Sequence, residues 1–121
     1  MVLLTLSEHM KLESQSLGRF PRRDDGSVNW KGVPQGSVLE SEDVGREEIE
    51  RALARWMPDS DPLGLIWGSL AVPSVTVERV RMLGVLSDIL ETFPDFWMYA
   101  ADVRVMVESS FAGNLTVARV R

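Results

Sequence analysis

The chain has 121 residues, 45% hydrophobic and 26% charged, which suits one folded domain with one substantial core and argues against disorder. It holds no cysteine, so disulfides, thiolate metal sites and a cysteine nucleophile are excluded together. The formal net charge of −5 is concentrated: residues 34–62 carry eight acidic and three basic side chains, while the segments on either side nearly balance. Negative charge repels phosphates, which argues against a nucleic-acid partner and in favour of a basic protein.

Residues 2–13 alternate, with Val2, Leu4, Leu6, Met10 and Leu12 on one parity. A strand is expected over 2–6, continuing towards Leu12 past a bend near Glu8. The apolar start has no basic region and no small-residue cleavage site, so no signal peptide is expected. From Ser14 to Gly36 periodicity is lost. Arg22-Arg23-Asp24-Asp25-Gly26-Ser27 is turn chemistry, Val28 and Trp30 could add a short strand, and 14–36 reads as a long irregular loop.

Asp43 to Met57 is the clearest helix, with Ile49, Ala52, Leu53, Trp56 and Met57 on one stripe. Ser41 or Asp43 would cap it, and Pro58 would stop it. Leu63–Val72 is apolar on every side and about half the length of a membrane span. Periodicity cannot separate strand from helix there, and the Asp61-Pro62 start signal tips the reading slightly to helix. A second amphipathic helix begins at Ser74 or Thr76 and ends before Pro94, burying Met82, Val85, Leu86, Ile89, Leu90 and Phe93.

Trp97 to Val107 alternates with Trp97, Tyr99, Val103, Val105 and Val107 on one parity, which predicts a long half-buried strand. A helix is the competing reading, since Phe96, Tyr99, Val103, Met106 and Phe111 lie about one turn apart. The alternate valines favour the strand. A turn over Ser109–Asn114 and a return strand over Leu115–Val120 close the chain. The expected fold is a single α+β domain over 1–121. Its antiparallel sheet is built from the N-terminal strand and the C-terminal hairpin, with two amphipathic helices packed on one face.

Little here suggests catalysis. His9 is the single histidine, next to Glu8, and reads as an exposed polar residue on the first strand. Asp59-Ser60-Asp61 lacks the glycine and glutamate of a calcium loop and reads as a turn with a cap. Arg19, Arg22 and Arg23 around Phe20 are offset by Asp24 and Asp25. No phosphate loop, dinucleotide fingerprint or zinc spacing occurs. No catalytic residue, metal site or cofactor is therefore assigned, and an enzyme is not expected.

The expected function is a small acidic protein-binding module that occludes a basic site on a partner protein, as inhibitors, immunity proteins and antitoxins do. The rival is a structural subunit of a phage particle or another symmetric assembly. Candidate partner-binding residues are Trp30, Glu40, Glu42, Asp43, Glu47, Glu50, Asp59 and Asp61. The protein is expected to be soluble and cytoplasmic, without nucleic-acid or membrane association, and a monomer or small homo-oligomer.

Overall fold

The computed structural model describes residues 1–68, 72–93 and 95–121. In chain order the strands are β1 (Val2–Leu3), β2 (Val38–Asp43), β3 (Leu63–Trp67), β4 (Val75–Val77), β5 (Phe96–Ala100), β6 (Val105–Ser109) and β7 (Asn114–Arg119). The helices are α1 (Leu6–Gln15), α2 (Arg46–Trp56) and α3 (Arg79–Thr92). The strands form one sheet in the order β1-β4-β3-β5-β6-β7-β2, and each pairing is antiparallel.

Both faces of the sheet are covered, by different means. On one face α2 and α3 bury Ile49, Ala52, Leu53, Met82, Leu86 and Ile89 against Leu65, Met98, Val107 and Val117. Arg46 joins the two helices, donating to Glu50, to Ser87 Oγ at 2.7 Å and to the Leu83 carbonyl at 3.1 Å. The other face carries a second cluster. There Leu17, Phe20, Val28 and Val33 pack onto Ile66, Trp97, Tyr99, Met106 and Ala118. Helix α1 seats Leu12 in the notch over Gly64, where a Cβ would stand 2.9 Å from Leu12 Cδ1.

The α+β class holds, but among the described residues there are three helices rather than two, and they lie on both faces. The N-terminal strand is only two residues long, because Thr5-Leu6-Ser7-Glu8 is a capping box that starts α1. The Thr5 amide donates to Glu8 Oε1 at 3.0 Å, and the Glu8 amide donates to Thr5 Oγ1 at 3.2 Å. Residues 14–36 are not a free loop: three short 3-10 turns, at 17–19, 30–32 and 35–37, fold the segment against the sheet. Val28 makes a single bridge to Arg22, and Trp30 opens a 3-10 turn.

The first amphipathic helix begins at Arg46. Ser41 and Asp43 belong to β2, and Gly45 stands at the N-cap with no side-chain cap. Leu63–Trp67 is a strand, all five residues buried, since it lies inside a sheet covered on both faces. The remainder of that apolar stretch at 69–71, and Pro94 after the second helix, lie outside the described residues. Residues 75–77 form β4, so the second helix starts only at Arg79. Asp61 Oδ1 accepts the Arg79 amide at 3.0 Å, so this aspartate satisfies a free amide at a helix start, though of α3.

The stretch from Trp97 to Val107 is a hairpin, not one strand. Residues 101–104 turn the chain, and Arg104 takes a left-handed conformation at φ 54°. The turn reverses the parity: Trp97 and Tyr99 join the second cluster, whereas Val105 and Val107 join the helix-covered core. The return strand occurs as expected, after a turn that places Gly113 at φ 87°. Among the described residues no helix is long and apolar enough to cross a membrane.

Candidate functional site

Strand register sets one row of side chains across five neighbouring strands. Ile66 pairs with Trp97, Trp97 with Glu108, Glu108 with Thr116, and Thr116 with Ser41. These five residues floor a cavity of about 1290 Å³ on the face opposite α2 and α3. Leu6, His9 and Glu13 of α1 form one wall, and the turn from Arg22 to Ser27 forms another. Phe111, 80% exposed at the tip of the β6–β7 turn, stands at the rim.

Glu108 sits at the centre of the floor and is 3% exposed. Its Oε1 accepts the Trp30 indole N–H at 2.9 Å, and its Oε2 accepts the Trp97 indole N–H at 2.8 Å and the Val28 amide at 3.1 Å. Three donors and no acceptor suit a carboxylate, and they repay the desolvation that burial imposes. None of the three is a cation. The arrangement fastens the segment that crosses the sheet at Val28 and Trp30.

Two arginines border the cavity. Arg22 lies over Trp97, its guanidinium carbon 5.9 Å from the ring centroid, while its Nε donates to the Gly26 carbonyl at 2.9 Å. Against Arg22 and Arg23 the lining sets five carboxylates: Glu13, Asp24, Asp25, Asp95 and Glu108. Asp25 Oδ1 accepts both the amide and the hydroxyl of Ser27, which hold its carboxyl below the usual range. Asp95 Oδ1 accepts the Phe111 amide at 2.6 Å and so props the rim turn.

His9 belongs to α1 and has partners, contrary to the expectation of an exposed strand residue. Its Nδ1 lies 2.5 Å from Ser74 Oγ, and its Nε2 lies 3.1 Å from Glu13 Oε2. Serine, imidazole and carboxylate in series resemble a nucleophile, its base and an orienting acid. Ser74 is only 2% exposed, however, and its carbonyl accepts the Leu4 amide at the β1–β4 edge. Ser74 borders the cavity with little surface of its own, and the chain of three ties α1 to the start of β4. Among the described residues no group of three His, Asp or Glu could hold a metal ion.

The residues singled out in the sequence are divided between the two faces. Trp30 is half-buried, packed on Phe20 with ring centroids 5.4 Å apart, and lines the cavity. Asp43 shares the parity of Ser41 on β2 and pairs with the lining residue Asn114, so it stands on the cavity face, whereas the other acidic candidates lie on the opposite parity of β2, on α2 and on the connection after α2. Glu40 accepts the Trp56 indole N–H, Glu42 pairs with Arg51 at 3.3 Å and Glu50 with Arg46 at 2.9 Å. Asp61 is engaged with α3, leaving Asp43, Glu47 and Asp59 exposed. Glu108 and Asp95 were missed. A lone charge inside the apolar run Val105–Ser109 is the signal that could have found Glu108, since a buried carboxylate requires donors.

No known family model matches the sequence, and no curated protein matches it at a significant level.

Proposed function

We propose that this chain is a small acidic protein-binding module that occludes a basic site on a partner protein, in the manner of an inhibitor, immunity protein or antitoxin. One observation carries the reading. Among the described residues only Glu42 and Glu50, of the eight carboxylates between 34 and 62, form ion pairs with an arginine. The remaining negative charge is directed at solvent or held by neutral donors, which supports attraction of a positively charged partner. Steering of that kind acts on the association rate and weakens with salt.

The test uses the partner recovered by crosslinking in the source cells and identified by mass spectrometry. Asp43→Lys, Glu47→Lys and Asp59→Lys together should slow association by about tenfold or more and flatten its salt dependence. Glu50 is unsuited to this test because its reversal would set a lysine against Arg46. Stability should change by about 0.5 kcal/mol or less per site, because these positions are exposed. Unchanged association rates would reduce the acidic segment to ordinary solvated surface.

One observation favours the rival subunit reading. Val2, Leu3, Leu6 and Met10 are 63%, 67%, 74% and 62% exposed, an apolar group at the short β1 edge.

A further inference from the structure

We infer that the cavity floored by Trp97 and Glu108, not the α2 surface, is where this module receives its partner, and that the occupant is an extended segment bearing arginine side chains. The inference rests on the binding-module reading above and names its docking point.

Length speaks for an extended segment. The floor row crosses five strands, and four intervals of about 4.8 Å make roughly 19 Å, the span of about six extended residues. The volume of about 1290 Å³ also exceeds the roughly 300–1,000 Å³ of most small-molecule pockets. Ser41, Ser110 and Thr116 line the same space with hydroxyls able to donate to or accept from a main chain.

Charge and aromatic chemistry speak for arginine. Five carboxylates face two guanidinium groups, an excess of three negative charges within one concave surface. Arg22 is already engaged with Glu13 at 3.8 Å and with the Gly26 carbonyl, and the donors on Glu108 are neutral. Trp97 is 4% exposed beneath Arg22, whereas Phe111, 80% exposed at the rim, leaves an open ring face of the kind that planar cations prefer.

The probe is an acetylated, amidated heptapeptide, Gly-Ser-Arg-Gly-Arg-Ser-Gly, titrated into the intact protein at low salt. Binding should shift the indole N–H resonances of Trp30 and Trp97. Neutralising the rim with Asp24→Asn, Asp25→Asn and Asp95→Asn keeps the amide-accepting oxygens and should weaken binding by about tenfold or more. Glu47→Gln with Asp59→Asn, away from the cavity, should leave it within about twofold.

The reverse pattern would overturn the cavity assignment while leaving the acidic-module reading standing. No binding up to millimolar peptide would also overturn it, and the steering test with the native partner would still judge the broader reading. Spermidine binding as tightly as the peptide would overturn the extended segment in favour of a small polyamine.

Discussion

Glu108 is the residue through which two distant parts of the chain are joined. Val28 and Trp30 reach it from about eighty residues upstream, while Trp97 faces it across the β5–β6 hairpin. Glu108→Gln keeps the shape but replaces one acceptor with a donor, so at least one of three buried N–H groups loses its bond. A cost of about 1–3 kcal/mol is expected, with faster amide exchange at Val28 and its neighbours. Chemical denaturation and hydrogen exchange check both. A variant as stable as the parent would show that the indoles find other partners. The residue could be suspected from sequence but its role could not, because its three donors come from positions far apart in the chain.

At the scale of elements, α1 has the most conditional hold. None of its residues is fully buried, and its start depends on the reciprocal bonds of Thr5 and Glu8. Those bonds, the backbone bond to Thr5 first, hold the Glu8 carboxyl below its ordinary 4.5. A depressed folded value means the contribution is complete above the unfolded value and is lost as pH falls through the folded one. The protection of the α1 amides, taken relative to their intrinsic exchange rate at each pH, should therefore fall as the pH drops below the ordinary carboxylate range, and Glu8→Gln should remove most of that dependence. A flat profile would assign the start of α1 to the β1–β4 pairing instead.

The same capping box was legible as Thr-x-x-Glu, yet the alternation of Val2, Leu4 and Leu6 concealed it. Helices α2 and α3 were legible because each buries one stripe, and β7 because Gly113-Asn114 marks its turn. Strand β3 was not, since covering both faces removes the alternation that distinguishes a strand. In the Trp97–Val107 stretch the apolar parity continues across 101–104 although the turn swaps the two faces. Local pattern carried the α+β class. The cavity arises from register among five strands and had no local signature.

For the molecule as a whole, the two functional readings predict different masses. The β1 edge leaves Val2, Leu3, Leu6 and Met10 open, whereas β2 ends the sheet with Glu40, Glu42 and Asp43, a charged edge of the kind that resists strand addition. A binding module should scatter light as a monomer or small dimer across a hundredfold range of concentration. An assembly subunit should grow with concentration, and Leu6→Lys with Met10→Lys should abolish that growth. Growth would favour the subunit reading, and its absence would favour the module.

The sheet order also has a consequence for synthesis. Strand β2 finds its ladder only in β7, where Ser41 pairs with Thr116 and Asp43 with Asn114. The segment over 17–33 likewise waits for Trp97, Met106, Ala118 and Val120 before its apolar side chains are covered. Roughly the first third of the chain thus leaves the ribosome several seconds before its partners exist, at about 5–20 residues per second. During that interval Leu17, Phe20, Val28 and Val33 are open to whatever else is near, and the nascent chain has reason to be held by a chaperone until β7 emerges.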